Sequence, residues 1–344
     1  MKEIKHCQSL DELLKDCPKN EIILNSLIKS WNKINSPLYN KIFCSVSGGG
    51  DSDLILDICY RCDKDNKITY GWFDTGLELQ ATKDHLIYLE NKYKIHIKRI
   101  EPIKPIPQTC KEYGQPFLSK FVSKNIYALQ RKEFDFQNYS VEEMVKMGIP
   151  KSYATWWNNK GSKIPTSQFN IARNKWLKEF LSKYPPNFKI SSKCCDYAKK
   201  QVSHKYLNKE QIQLNIIGIR KTEGGIRAVN YNSCFLDETS HGYALFMPVF
   251  WYKDSDKQEF EKAFNITHSK CYTVYGFKRT GCVGCPYNKQ IFENNKQIEK
   301  YEPNKYKAAN SIFKDSYEYT KKYREFCKEM NAKQKKEKTL KKKD

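Results

Sequence analysis

Apolar positions in the first hundred residues switch between two periods. Residues 9–35 carry helical spacing, and Ser9 stands three residues ahead of Glu12, a capping-box arrangement just before Leu13 and Leu14. Ile42-Phe43-Cys44-Ser45-Val46 is a short apolar run that ends in glycines, which predicts a buried strand. Leu54, Ile55, Ile58 and Tyr60 then return to helical spacing. Ile68 to Phe73 predicts a second strand, Glu78 to Tyr93 a second helix, and Ile95 to Ile100 a third strand closed by Pro102, Pro105 and Pro107. Strand, helix, strand, helix, strand predicts an α/β fold with a parallel twisted sheet and helices on both faces. Its crossovers should be right-handed. Leu214 to Ile219 predicts a further strand of the same sheet. Residues 118–185, with Trp156, Trp157 and Trp176, read as mostly helical, and 304–344 as helical by spacing.

A chain of 344 residues suggests two domains, or one large domain with an appendage. It can bury a real core without disulfide staples. Lys and Arg exceed Asp and Glu by 61 to 39, a net charge of +22. That balance excludes an acidic solvating protein and points to an anionic partner. A coding bias that raises Lys, Asn, Ile and Tyr together is the competing account of the excess. The stretch 321–344 holds 11 basic against 4 acidic residues and has the composition of a solvated, fraying helix. No apolar run approaches the 18 or so residues of a membrane span, and Met1 to Leu14 has no apolar signal core. We therefore expect a cytoplasmic protein without a membrane partner. Thirteen cysteines, an odd count in a reducing compartment, direct attention to metal ligation or catalysis rather than disulfides.

Ser47-Gly48-Gly49-Gly50-Asp51-Ser52 lies between a predicted strand and a predicted helix. Three glycines let the backbone turn tightly and bring bare N–H groups to an anion, and the helix start adds its positive end. This is a pyrophosphate cradle at the carboxyl edge of a parallel sheet. It is not a Walker loop, which would need Gly-Lys-Ser/Thr at its end. The hexapeptide resembles the SGGxDS signature of the PP-loop adenine nucleotide α-hydrolase superfamily. Phe73-Asp74-Thr75-Gly76 is similar to the Asp-Thr-Gly that follows that family's second strand, and Tyr113-Gly114 to Ser119-Lys120 to the stretch after its third. Within the superfamily the chain looks like the phosphoadenosine phosphosulfate (PAPS) reductase-like branch. The resemblance implies an adenine nucleotide, ATP with Mg²⁺, bound by Ser47, Gly48, Gly49, Gly50, Asp51, Ser52, Asp74, Thr75 and Gly76. It covers about residues 40–290. The expected organisation is an N-terminal helical segment at 1–39, a nucleotide-binding domain with cysteine segments at 40–290, and a basic helical tail at 291–344.

Cys194-Cys195 is followed far downstream by Cys282-Val283-Gly284-Cys285. A Cys-x-x-Cys on a Gly-containing turn presents two thiolates to one centre. Adjacent cysteines reach separate corners of a cube more easily than two positions on one small ion. The pattern therefore favours a 4Fe-4S cluster on Cys194, Cys195, Cys282 and Cys285, with zinc as the alternative occupant. It also resembles the ligand pattern of iron–sulfur sulfonucleotide reductases and of the sulfur-transfer subunits of DNA phosphorothioation systems. Cys44 reads as a small buried hydrophobe, and Cys59 and Cys62 as packing positions on a helix. Cys7, Cys17 and Cys110 carry no pattern, and Cys234 and Cys271 are spare-ligand positions at most.

Ile217-Gly218-Ile219-Arg220 ends the fourth predicted strand and leads to Glu223 and Arg227. Family members resemble this in carrying Gly-x-Arg, a Glu and a second Arg, and Arg forks suit phosphate or sulfate. The competing reading is a surface ion pair with Glu223. Two departures from the reductases stand out. There is no C-terminal Glu-Cys-Gly-Leu-His segment, Cys327 being the only late cysteine, and the loop keeps Asp51. An intact loop implies ATP cleavage. The expected activity is that of an ATP pyrophosphatase, with Asp51, Arg220 and Arg227 catalytic. It would adenylate a nucleic acid for iron–sulfur-dependent sulfur transfer, supplied by a sulfur-donor protein. The alternatives are a PAPS or APS reductase that releases sulfite, and a non-catalytic nucleotide- and nucleic-acid-binding regulator.

Overall fold

The computed structural model describes residues 4–224, 231–237 and 239–340. The chain forms two compact units: Met1–Ile103 with Tyr197–Cys282, and Lys104–Asp196 with Val283–Asp344.

The first unit holds the sheet. Strands β1 (Ile42–Ser45), β2 (Ile68–Phe73), β3 (Ile97–Ile100), β4 (Leu214–Ile216), β5 (Phe235–Leu236) and β6 (Ala244–Phe246) lie in the order β3-β2-β1-β4-β6-β5. All neighbours pair in parallel except β5 with β6. The predicted α/β architecture is therefore present. The predicted strand at 214–219 is shorter than expected, since the ladder ends at Ile216 and Ile217 to Arg220 leave the sheet edge. β5 and β6 were not foreseen from the sequence. Chain direction from β1 proceeds to β2 on one side, while β4 lies on the other. Ligands of such sheets bind at this switch point, beyond the strands' carboxyl ends.

The expected separate segment 1–39 is part of this unit. Asn20 caps the helix Glu21–Ile34, its side chain accepting from the N–H groups of Ile22 and Ile23 at 3.0 and 3.2 Å. The apolar face of that helix, Ile23, Leu27 and Ile34, packs in the same core as Ile42, Leu54 and Ile58. Such a stripe requires a partner surface, and here it is shared with the sheet.

On the helix Gly50–Cys62 one carboxylate is fully buried. Asp57 accepts from Arg61 Nε at 2.7 Å and from the Tyr93 hydroxyl at 2.9 Å. Tyr93→Phe removes one donor from a charged acceptor and should lower stability by about 2 kcal/mol. The check is the denaturation midpoint, with an unchanged dependence on denaturant.

The second unit is helical. The core of this unit gathers Phe117, Trp156, Trp157, Phe180 and Leu181 with Tyr319, Tyr323 and Phe326. The last three lie on one face of the helix Pro303–Leu340, which bends at Phe313 (φ −115°, ψ 16°). Their hydroxyls are used: Tyr323 donates to the Lys175 carbonyl at 2.8 Å and Tyr319 to that of Tyr184. Residues 291–344 are thus not a tail appended to a 40–290 domain. Aromatic residues at positions i, i+4 and i+7 bind the middle of the long helix to residues 104–196. The basic end, from Lys328 onward, is mostly exposed among the described residues.

Candidate functional site

β1 ends at Ser45 and the chain turns through Val46 to Gly49 into the helix Gly50–Cys62. The Ser47 N–H donates to Ser52 Oγ at 2.8 Å, closing the loop on itself. Gly48 has φ +66°, a left-handed position, and a Cβ there would press on Thr82 Cγ2 at 3.0 Å. The loop after β4 is equally tight: a Cβ on Gly218 would stand 2.8 Å from the Asp51 carbonyl oxygen. Bare backbone from both sides of the switch point therefore meets around Ser47 to Ser52. The Gly50 N–H points to the Tyr272 hydroxyl at 3.0 Å, and that hydroxyl lies 3.3 Å from Thr280 Oγ1.

Asp51 is the electrostatic centre. Its Oδ1 accepts from Arg220 Nε at 3.0 Å and from Lys257 Nζ at 2.9 Å. Arg220 extends to Asp254 at 2.7 Å. Lys257 stands over the loop, since a Cβ on Gly50 would lie 2.7 Å from its Nζ. Arg220 is thus paired with Asp51, while Arg227 lies outside the described residues. Lys257 was missed by sequence reasoning. It belongs to the helix Asp254–Ala263, more than 200 residues from the loop, in a segment without a motif.

Behind Asp51 runs a second network. Asp53, 1% exposed, accepts from His85 Nε2 at 3.0 Å and His268 Nδ1 at 2.7 Å. His268 Nε2 reaches Glu261 at 2.7 Å, and Glu261 lies 3.7 Å from Lys257. Burial opposes charge on His268, but the hydrogen bonds to Asp53 and Glu261 outweigh it and push its pKa up to about 9. Neither histidine was singled out from the sequence.

The β2 motif is largely occupied with its own turn. Asp74, 1% exposed, accepts from Gly76 N–H at 2.8 Å and from Arg99 at 2.7 to 2.8 Å. Thr75 donates to Glu78 at 2.7 Å, and Gly76 is exposed with φ +76°. These residues follow the strand paired with β1, on the same sheet edge. Their side chains shape that edge.

Among the expected thiols, Cys194, Cys195 and Cys285 belong to the second unit, and Cys282 is the last residue of the first. Cys194 is buried, with side-chain hydrogen bonds to Cys110 and Cys195 and the charge of Cys285 felt nearby. The Tyr287 hydroxyl is buried, and its pKa is raised by that burial and by Cys194, Cys195 and Cys285. Gly284, inside the Cys-x-x-Cys turn, accepts from the Tyr317 hydroxyl through its carbonyl. Among the described residues no three His, Cys, Asp or Glu side chains are gathered closely enough to hold one metal ion. The donor set is all sulfur, which fits iron–sulfur chemistry. Cys271 and Cys234 pack instead: Cys271 is fully buried 3.6 Å from Thr82 Oγ1, and Cys234 lies against Ile219 and Leu245. No described helix is long and apolar enough to cross a membrane.

No family model matches the chain. No curated protein matches it either. Among solved structures it is similar to a phosphoadenylyl-sulfate (PAPS) reductase from Candida auris in a phosphate complex, at 11% identity over 79% of this chain and 93% of that one, TM-score 0.42. It is also similar to the FMN adenylyltransferase of Candida glabrata, at 11% identity over 80% and 68%, TM-score 0.43. A third is a U34-tRNA thiolase from Methanococcus maripaludis with its 4Fe-4S cluster, at 12% identity over 93% and 88%, TM-score 0.37.

Proposed function

We propose that the chain cleaves ATP between its α- and β-phosphates to adenylate an oxygen of a nucleic acid, as the activating step of sulfur transfer. The observation that carries this reading is Asp51, held between Arg220 and Lys257 at the mouth of an intact glycine loop. Bare N–H groups of Ser47 to Ser52 and the helix start suit a leaving pyrophosphate. Arg220 and Lys257 supply positive charge where negative charge develops. The Asp51 carboxylate is a hard oxygen ligand suited to Mg²⁺, with its two cations passing to phosphate oxygens. Asp74, Thr75 and Gly76 border the same edge and shape the nucleoside side. A substrate oxygen attacks the α-phosphorus, the bond to the β-phosphate oxygen breaks, and pyrophosphate leaves. Sulfur at the sulfide level, brought by a donor protein, then forms a C–S bond as the C–O bond to AMP breaks.

The thiols of Cys194, Cys195 and Cys285 are of the type that would hold a 4Fe-4S cluster. Bound there, such a cluster supplies a sulfur-binding, redox-active centre. The net charge of +22 and the basic end of the long helix suit a polyanionic acceptor.

The test is anaerobically reconstituted protein with Mg²⁺, labelled ATP, and RNA or DNA. AMP and pyrophosphate that appear only with nucleic acid are expected. Their absence overturns the mechanism. Sulfite from APS or PAPS would establish the reductase instead. Tight, salt-sensitive binding of nucleotide and nucleic acid without turnover would establish the regulator.

A further inference from the structure

We propose that Tyr272 gates the glycine loop: its hydroxyl holds the Gly50 N–H and must surrender it to a phosphate oxygen before a polyphosphate can seat at Ser47 to Ser52. The inference rests on the reading of that loop as a polyphosphate cradle and adds a device that regulates it.

The helix Gly50–Cys62 opens on Gly49, which has no side chain to cap it. Its first N–H groups therefore lack an acceptor within the helix. The loop has one acceptor of its own, Ser52 Oγ, and that takes the Ser47 N–H at 2.8 Å. The Gly50 N–H finds its acceptor 222 residues away, in the Tyr272 hydroxyl at 3.0 Å. The same hydroxyl crowds the preceding glycine: a Cβ on Gly49 would stand 3.4 Å from it and 3.2 Å from Thr280 Oγ1. Tyr272 and Thr280 thus lay two hydroxyls on the loop, 3.3 Å from each other. An oxygen that accepts the Gly50 N–H must lie along that bond at about 3 Å, which is where the Tyr272 oxygen lies. The two cannot be there together.

The tyrosine is delivered by an anchored turn. Ser269 Oγ donates to the Ala81 carbonyl at 3.0 Å and accepts from the Cys271 N–H at 3.2 Å. The Tyr272 N–H donates to the Ser269 carbonyl at 2.9 Å, and Cys271 is fully buried beside Thr82. The backbone is therefore fixed against the helix Gln80–Tyr93, and the gate opens by rotation of one side chain. Burial raises the pKa of the Tyr272 phenol, so it stays a neutral acceptor. A phosphate oxygen is charged, and a charge-assisted hydrogen bond at a helix start is the stronger of the two. A polyphosphate therefore displaces the tyrosine, whereas a neutral ligand has no such advantage. A cap that served stability alone would make the same contact but would not compete with a bound anion.

The experiment titrates inorganic pyrophosphate, without Mg²⁺, into the unvaried full chain and into Tyr272→Phe by calorimetry, with circular dichroism as the fold control. Phenylalanine keeps the ring and removes the competing oxygen. Tyr272→Phe should bind pyrophosphate about fivefold more tightly, the equivalent of one neutral hydrogen bond that no longer has to be displaced. Binding by the variant alone is the same result in stronger form. Affinity that is unchanged or weaker in the variant, while the unvaried chain binds, overturns the gate and leaves the cradle standing. Binding to neither chain overturns the cradle reading and the gate together. If Tyr272→Phe is unfolded, the unvaried chain decides. Its Tyr272 is nitrated with tetranitromethane, with and without saturating pyrophosphate, and the modification is mapped by mass spectrometry. Pyrophosphate should speed nitration at Tyr272, because the released ring meets solvent. An unchanged or slower rate overturns the gate.

Discussion

Asp51→Ala should lower pyrophosphate release by about 10²- to 10³-fold while leaving nucleotide binding intact. The magnitude is that of removing one preorganised electrostatic group from a reacting phosphate. The split follows from what Asp51 does in the structure. Its carboxylate occupies both Arg220 Nε and Lys257 Nζ, at 3.0 and 2.9 Å. Without it those two cations are released towards any anion in the loop, so metal-free ATP should bind at least as tightly. On the proposed reading, what is lost is an oxygen ligand for Mg²⁺ and the restraint that aligns the cations. The effect therefore falls on kcat, with KM unchanged or lower. Steady-state pyrophosphate release and equilibrium titration of ATP with and without Mg²⁺ check both halves. Turnover within a few-fold of the unvaried enzyme would remove Asp51 from the chemistry. Weakened metal-free binding would mean that Arg220 and Lys257 do not face the phosphates.

How much of this arrangement was legible in the sequence depended on the length over which each signal ran. β1, its glycine loop and the following helix were legible because an apolar run, three glycines and helical spacing follow one another within 20 residues. β2 and β3 were legible for the same reason. Arg220 was legible from its place after a strand in a chain with few arginines. β5 and β6 were not, since two and three residues carry no period to read. Lys257, His268 and Tyr272 reach the loop from a distant segment that shares no spacing with it. The division of the chain was misread for a related reason. Terminal helices with polar outer faces look like appendages, and only the burial of Leu27 and of Tyr319 and Tyr323 reveals the cores they complete.

The Asp53 network has a consequence for pH. His268 titrates near 9 in the folded chain against an ordinary value of 6.5. A group whose pKa is raised on folding contributes its full stabilisation below the lower value and loses it as the pH rises through the higher one. Stability should therefore fall between about pH 6.5 and 9, by up to about 3 kcal/mol, because each pKa unit is about 1.4 kcal/mol. His268 is 18% exposed, so solvent screening removes little of this. Asp53→Asn keeps the shape and withdraws the charge, leaving Glu261 as the remaining carboxylate on the ring. The variant should be less stable by about 2 kcal/mol at pH 6.5, and its pH dependence should be flatter. The two curves should converge only above pH 9, as His268 loses its proton in the unvaried chain too. Because Asp53 lies in the first turn of the helix that carries Asp51, weakening its hydrogen bonds with His85 and His268 should also loosen the loop. Urea denaturation at pH 6.5, 8 and 9.5 for both chains gives the curves. Parallel curves would show that Asp53 does not hold the proton on His268, whereas convergence would tie the glycine loop's stability to that single imidazolium.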